Sequence, residues 1–263
     1  MTGESESSVY KTITSSVSDG VATVTMDRPD SHNAMTLEMV VEVYQALREI
    51  ESRDDVRIVV LTGAGRIFCP GGDIDAIAEG SASDPAEMGQ GLEVYKVPAL
   101  LHDMPQVTVA AINGSCAGAA LGWACGCDLR YTVESAKFTT AFLPLGIAGD
   151  MALPWSLPRL VGAGRARELS FFADVFTAAD AHRMGLVSDV FTRDEFVERM
   201  DGIVSRLAAA KPEALRRLKE HYIQAETMSF GDFAVHEADW HVKNFSTEGF
   251  EKFLANKEAR RRA

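Results

Sequence analysis

The chain has 263 residues, of which 46% are hydrophobic and 24% are charged, as in an ordinary globular protein. This length accommodates one large domain, or one domain with a small appendage. The formal net charge of −12 excludes broad contact with nucleic acid or an anionic membrane surface, because both need a cationic partner. The four cysteines lack disulfide spacing, and we find neither a targeting pattern nor an apolar run of membrane-spanning length, so we expect a cytoplasmic protein.

The first half of the chain alternates between predicted strands and helices. Ser18-Asp19-Gly20 indicates a hairpin turn, and Thr36 is a predicted helix N-cap. The apolar segments RIVVLTG (57–63) and QVTVAAING (106–114) are predicted buried strands, and AGAALGWACG is a predicted helix packed on all sides. This alternation favours an α/β fold with crossover connections.

The second half is mostly helical from Met151 onward. Amphipathic stretches at 194–209, 212–226, 230–243 and 248–261 predict four C-terminal helices. We therefore divide the chain into an α/β core, residues 1–195, and a helical region, residues 196–263. The polar, Gly- and Ser-rich segment near 80–91 is predicted to be mobile.

Two glycine-rich loops carry the main chemical signal. FCPGGDI and CAGAALG each connect a buried strand to a helix, where main-chain N–H groups lack partners and the helix N-terminus carries partial positive charge. Two such N–H groups converging on one oxygen would stabilise an enolate or a tetrahedral oxyanion. The alternative is that these glycines only permit tight turns and close helix packing.

Several other patterns fail on spacing. GAGRIF and GAGRAR lack the third glycine of a dinucleotide-binding loop, and HEADWH has one residue too many for a zinc protease. Cys125 and Cys127 are interpreted as buried structural thiols, and Cys69 has no neighbouring histidine in sequence to activate it. We expect no metal and no separate cofactor.

Ordered motifs along nearly the whole chain resemble the enoyl-CoA hydratase/isomerase, or crotonase, superfamily. They are DRPDSHNAM, GAGRIFCPGGDI, INGSCAGAALGWACGCDLRY, FLPLGIAGD, AADAHRMGLV and TEGFEKFLANK. The resemblance implies a crotonase-like α/β core of ββα repeats with a spiral twist, which would hold the acyl-CoA site. It also implies a helical C-terminal trimerisation region, an acyl-CoA thioester substrate and a homotrimer or a hexamer built from two trimers.

The resemblance also assigns site residues by position. The oxyanion-hole N–H groups would belong to Gly72 and Ala119. The predicted contacts to the CoA part of the substrate are Arg28, Ala34, Gly72, Asp73, Ile74, Asp75 and Lys257.

The two glutamates that handle water in hydratases of this family are missing. Their positions match Gly122 and Phe142, neither of which can move a proton. Asp150, in GIAGDMALPW, matches the proton-shuttling aspartate of dienoyl-CoA isomerases and of the ring-epoxide isomerase of phenylacetate degradation. The predicted function is therefore a double-bond shift in an enoyl-CoA, because one carboxylate and an oxyanion hole suffice for it.

Alternatives remain for the role of Asp150 and for the function of the protein. Asp150 could instead be the N-cap of a helix beginning at Met151. The protein could be a hydratase, a hydrolase or a ring-cleaving enzyme that holds water with Asp75 or Glu79, or an acyl-CoA binding protein that has lost its chemistry.

A further expectation concerns the surroundings of Asp150. An apolar wall formed by Phe142, Trp123 or Trp155 would raise the pKa of Asp150 by desolvating its carboxylate. The segment 79–95 is expected to line the acyl pocket.

Overall fold

The computed structural model describes residues 6–79, 85–244, 250–251, 254–255, 257–258 and 261. The chain divides into two units, residues 1–216 and residues 217–263. The predicted division after residue 195 stays a prediction. In the described part of the chain, no helix is both long enough and apolar enough to cross a membrane.

The first unit contains all the strands found in the described residues. They are β1 (Glu6–Val9), β2 (Ile13–Ser18), β3 (Val21–Met26), β4 (Ile58–Gly63), β5 (Val107–Ile112), β6 (Cys116–Ala117), β7 (Leu129–Val133), β8 (Lys137–Thr139), β9 (Phe176–Thr177) and β10 (Asp189–Phe191). The α-helices of the described chain are α1 (Leu37–Glu51), α2 (Ile74–Ala78), α3 (Val97–Asp103), α4 (Ala119–Gly126), α5 (Leu153–Val161), α6 (Ala163–Phe172), α7 (Ala178–Arg183), α8 (Phe196–Ala208), α9 (Pro212–Ala225) and α10 (Phe230–Asn244).

A seven-stranded mixed sheet forms the centre of the first unit, in the order β1-β2-β3-β4-β5-β7-β10. The strands β1, β2 and β3 pair antiparallel, and every later pair in this sheet is parallel. A smaller sheet has the order β6-β8-β9. The predicted hairpin and the predicted α/β layering with crossovers are confirmed.

Side-chain chemistry explains the elements that carry the site. All six residues of β5 are buried, as expected for a β-branched-rich strand in the parallel part of a sheet. All eight residues of α4 are buried as well, because this helix packs between α3 and α5. The predicted cap of α1 is confirmed, since the Thr36 side chain accepts a hydrogen bond from the Met39 N–H.

The second unit contains α10 and the end of α9. Within it, the His221 ring packs edge-on against Phe233 and Trp240. The predicted helix at 248–261 lies only partly within the described residues, and those described are helical. The predicted mobile segment also lies partly outside them, although residues Pro85–Met88 form a 3₁₀ turn.

A buried carboxylate joins α1 to the start of β2. Glu42 of α1 accepts hydrogen bonds from the main-chain N–H groups of Lys11 and Thr12, each at 2.8 Å, and from the Thr12 hydroxyl at 2.5 Å. Glu38, one turn earlier, makes only an exposed ion pair with Lys11 at 2.7 Å. The two glutamates therefore differ in burial while they hold the same short segment.

We expect Glu42→Ala to lower the free energy of unfolding by roughly 2–4 kcal/mol, because it leaves main-chain donors without an acceptor in a buried setting. Glu38→Ala is the matched control and should cost less than about 1 kcal/mol, as exposed ion pairs do. Urea unfolding of both variants measures the difference. Equal losses would contradict the role given to Glu42.

Candidate active site

Two loops of the first unit are tied together at the end of the central strands. One follows β4, the other follows β5, and they meet in a short parallel bridge between Cys69 and Cys116. The Cys69 N–H donates to the Ser115 carbonyl and the Ala117 N–H donates to the Cys69 carbonyl, both at 3.1 Å. These bonds set the spacing between the loops that the sequence predicted as anion sites.

Glycines let the two loops approach each other. Gly71 has a φ of 103° and Gly118 has a φ of 54°, both in the left-handed region that favours glycine. A Cβ atom at Gly71 would lie 3.1 Å from the Ala117 carbonyl oxygen, and one at Gly118 would lie 3.7 Å from the Gly71 Cα. The main chains that precede Gly72 and Ala119 are therefore in contact.

Gly72 and Ala119 line one cavity of about 430 Å³. Ala119 is the first residue of α4, so its N–H has no acceptor inside the helix. Within the residues that the structure describes, neither of these two N–H groups donates to a main-chain carbonyl. Both are thus available to a ligand oxygen, as the oxyanion-hole prediction requires.

Asp150 lines the same cavity. It stands in an irregular segment between Gly149, with a φ of 130°, and Met151 and Ala152, with φ values of 46° and 54°. Left-handed main chain costs free energy at residues other than glycine and persists only where the surrounding packing enforces it. Met151 is buried, so packing does enforce this segment.

The alternative that Asp150 is the N-cap of a helix beginning at Met151 is wrong. The helix α5 begins at Leu153, and its N-cap position is Ala152, which has no side chain able to accept a hydrogen bond. The Asp150 Oδ1 atom instead accepts from the N–H of Met151, at 2.7 Å, outside the helix. Burial raises the pKa of the Asp150 carboxyl, and this hydrogen bond only partly opposes the rise.

Arg28 and Asp73 form an ion pair at the cavity, with 2.8 Å between the Arg28 Nη1 and the Asp73 Oδ2. The Arg28 guanidinium also donates to the Ala34 carbonyl. The pKa of Asp73 is lowered, first by the Ala76 N–H that donates to its carboxylate and then by Arg28. The structure thus brings Arg28, Ala34 and Asp73 together, with the Arg28 charge already paired.

The other predicted CoA contacts are more exposed. Ile74 and Asp75 follow Asp73 on α2, and the Ile74 side chain is 59% exposed. Lys257 belongs to the second unit, where it is helical and exposed. Asp75 and Glu79, the alternative water-holding carboxylates, are both exposed, and neither is among the described residues that line the cavity.

The apolar wall predicted around Asp150 does not come from Phe142, Trp123 or Trp155, since none of them lines the cavity. Trp123 is fully buried in the core, and Trp155 is 44% exposed, with Arg159 stacked 3.7 Å from the centre of its ring. Phe142 is buried beside Gly118 but does not line the cavity. The cavity side chains that accompany Asp150 include Met35, Tyr95 and Met151.

The cysteines are buried, as predicted for Cys125 and Cys127. Burial raises the pKa of Cys69 and of Cys125 to about 12, and that of Cys116 well above its ordinary value. A thiol with so high a pKa carries almost no thiolate at neutral pH and is a poor nucleophile. The raised pKa therefore agrees with the absence of an activating histidine near Cys69 in the sequence, and supports no nucleophilic role for Cys69.

Asn33 was not predicted, and it links the main chain at Arg28 to the loop after β4. Asn33 is 1% exposed and left-handed, with a φ of 61°. Its carboxamide oxygen accepts from the Arg28 N–H at 2.9 Å, and its NH₂ group donates to the carbonyls of Ala64 and Ile67 at 2.9 and 2.8 Å. Its residue type was a sequence signal for this role, because asparagine adopts left-handed main chain more readily than most residues.

Tyr95 and Met88 were also missed as individual residues. Both line the cavity, which agrees with the expectation that the segment 79–95 contributes to the acyl pocket. Their stretch has no helical or strand periodicity, so no pattern singled them out.

Gly72 and Ala119, whose N–H groups have no main-chain acceptor among the described residues, line the same cavity as the half-buried Asp150, which is the arrangement that the oxyanion-hole prediction requires. Comparison with known proteins shows the family. Residues 16–261 match the family described as enoyl-CoA hydratase/isomerase. The chain belongs to the enoyl-CoA hydratase/isomerase (crotonase) family, as its motifs predicted, and is an acyl-CoA enzyme of that family with its mixed α/β fold.

Relatives in this family carry out different reactions. The chain is 36% identical over 209 residues to 4-chlorobenzoyl coenzyme A dehalogenase-2 of Arthrobacter sp, covering 78% of this chain and 75% of the relative. It is 32% identical over 217 residues to 1,2-epoxyphenylacetyl-CoA isomerase of Escherichia coli, covering 82% and 83%. A Thermobifida fusca structure in complex with CoA, assigned as an enoyl-CoA hydratase, superposes with a TM-score of 0.81 at 29% identity, covering 88% and 92%.

Ala119→Pro tests the oxyanion hole with little disturbance of the fold. Proline is tolerated at the first position of a helix, where its missing N–H would have had no helical partner. The substitution removes one predicted oxyanion donor, so we expect kcat/KM to fall by at least about 10²-fold. Steady-state kinetics measures the loss, and an unchanged circular dichroism spectrum is the control. Full activity would exclude the Ala119 N–H from the oxyanion hole.

Proposed function

We propose that the protein shifts a double bond in an enoyl-CoA. The thioester carbonyl oxygen binds between the N–H groups of Gly72 and Ala119. The Asp150 carboxylate removes a proton from the carbon beside the carbonyl, and the resulting dienolate carries its negative charge on the oxygen held by the two donors. Asp150 then returns the proton further along the acyl chain, so the substrate and product differ only in the position of the double bond.

The shared cavity of Asp150 and the two donors is the observation that supports this proposal best. The raised pKa of Asp150 also supports it, because a more basic carboxylate is a better proton acceptor. The direction follows from burial, which disfavours the charged form of the group.

Water addition is less well supported. It requires a base and an acid to activate water and protonate the substrate. Gly122 and Phe142 occupy the positions at which the family's hydratases use glutamates. Asp75 and Glu79 are exposed, so neither is a good substitute for those glutamates.

The similarity to the dehalogenases favours a second candidate function, displacement of halide from an aromatic acyl-CoA. Here Asp150 would attack the ring carbon that carries the halogen, while the oxyanion hole accepts the charge delocalised onto the thioester oxygen. Halide would leave, and water would then hydrolyse the aryl ester to release the hydroxylated product and restore Asp150. The same three groups serve both reactions.

The CoA part of the substrate is proposed to contact Arg28, Ala34, Gly72, Asp73, Ile74, Asp75 and Lys257. The family resemblance also supports a homotrimer or a hexamer of two trimers, with the C-terminal helices as the trimerisation region. Exposed apolar side chains in the second unit, such as Tyr222, Phe230 and Val242, agree with such a role.

Wild type and Asp150→Asn should be incubated with 3-enoyl-CoA, 2-enoyl-CoA and 4-chlorobenzoyl-CoA, with products resolved by liquid chromatography and mass spectrometry. We expect wild type to isomerise the enoyl substrate and the variant to lose about 10²–10⁴-fold in kcat, as expected for loss of a general base.

Three other outcomes would contradict the proposed isomerisation by Asp150. Chloride release without isomerisation would assign the second candidate function. Hydration that survives in Asp150→Asn would overturn the one-carboxylate mechanism, and CoA-ester binding without any product would identify a binding protein that has lost its chemistry.

The pH dependence of activity and of stability tests the role of Asp150 as the base. The base must be ionised, so kcat/KM should fall on the acid side with an apparent pKa above 3.8, the ordinary aspartate value. Because the pKa of Asp150 is raised in the folded state, this group stabilises the fold most at low pH, where its carboxyl is protonated. This stabilisation is lost as the pH rises through the folded-state pKa. Asp150→Asn should therefore unfold at or above the wild-type temperature at pH 7, with a smaller difference at pH 4. A variant that is less stable at pH 7 only would contradict this assignment.

A further inference from the structure

Gly122 lies in the middle of the buried helix α4. Its main-chain conformation is that of an ordinary right-handed helix, so backbone geometry does not require glycine there. Glycine inside a helix is less stable than alanine. A residue type that is unfavourable for the helix and unnecessary for its backbone points to a spatial requirement.

That requirement comes from Met151. A Cβ atom at Gly122 would lie 2.5 Å from the Met151 carbonyl oxygen and 2.7 Å from the Met151 Cβ, closer than real Cβ contacts. The first of these atoms belongs to the main chain, so a side-chain rotation cannot relieve the clash. The volume of a side chain at position 122 is occupied by the segment that follows Asp150.

Met151 and Asp150 move together. They share a peptide bond, and the Asp150 Oδ1 accepts from the Met151 N–H at 2.7 Å. Met151 is also one of the left-handed residues that only packing maintains. Displacing its main chain from α4 would therefore displace the carboxylate from the cavity that Gly72 and Ala119 line.

We propose that Gly122 is a positioning residue, whose missing side chain allows Met151 to pack against α4 and so holds Asp150 in the cavity. This inference rests on the proposed function of Asp150. It follows that a carboxylate on α4 at position 122 and the present position of Asp150 exclude each other. The absence of an acid at position 122 is thus a condition for the aspartate site rather than only the loss of a glutamate.

Gly122→Ala tests the proposal, and Gly126→Ala is the matched control. Gly126 lies on the same helix, and its Cβ atom would lie 2.6 Å from the Pro98 carbonyl oxygen, a comparable clash on the side of α3. Both variants should lose stability. We expect only Gly122→Ala to lower kcat by tenfold or more, toward the value of Asp150→Asn, with KM changed less than threefold.

The pH profile separates positioning from general damage. In Gly122→Ala the acid limb of kcat/KM should move down toward 3.8, because a displaced carboxylate is better solvated. The other charged residues that line the cavity, Arg28, Glu38 and Asp73, are unchanged in both variants. Gly126→Ala should keep the wild-type limb.

A readout without activity distinguishes failure of this inference from failure of the proposed function. The effect of Asp150→Asn on the unfolding temperature should vary with pH in the wild-type background and become flat in the Gly122→Ala background. This comparison remains valid even if Asp150→Asn proves active, an outcome that would overturn the proposed function alone.

If Gly122→Ala does not fold, the double variant Gly122→Ala/Met151→Gly takes its place. Glycine at position 151 removes the clashing Cβ atom and lets the main chain there adopt other conformations. Met151→Gly alone is then the control. Wild-type kcat and an unchanged acid limb in the folded variant would overturn the proposal. So would failure of both variants to fold while Gly126→Ala folds, because position 122 would then serve the core as a whole.

Discussion

The pair of hydrogen bonds between Cys69 and the 115–117 segment is the constraint on which the site depends. Without this bridge, the loops after β4 and β5 would be separate turns at the end of a sheet. With it, the residues before Gly72 and Ala119 are held in contact, and Gly72 and Ala119 line the same cavity. A preorganised pair of donors needs no rearrangement when charge develops on a substrate oxygen, which is the main source of its catalytic effect.

Asp150, the proposed acid–base group, reaches the same cavity by a different route. Asp150 is placed by a short irregular segment packed on a buried helix, and not by a regular element. Its burial and its left-handed neighbours both carry a free-energy cost that the surrounding core offsets. The site therefore has two parts. The loops that carry Gly72 and Ala119 are held by main-chain hydrogen bonds, whereas the position proposed for Asp150 depends on the side-chain volume at position 122 of α4.

Much of the fold and half of the site could be predicted from sequence. The hairpin, the Thr36 cap, the buried strand β5 and the helix α4 all follow from local pattern, and the glycine-rich loops indicated the proposed donors. Asp150 was proposed through family resemblance, and the alternative that it caps a helix was wrong because Met151 and Ala152 adopt left-handed main chain, which no periodicity signals. Asn33, Met88 and Tyr95 were missed because long-range packing, rather than local sequence, brings them to the site.

The use of main-chain donors has a consequence for how such a protein changes over evolution. Nearly every substitution at position 72 or 119 keeps the peptide N–H, so point mutations would rarely remove the proposed oxyanion hole. A catalytic side chain, in contrast, is lost or relocated by one or two substitutions. A lineage built on this framework can therefore exchange one acyl-CoA reaction for another while it retains its ability to stabilise the shared charged intermediate.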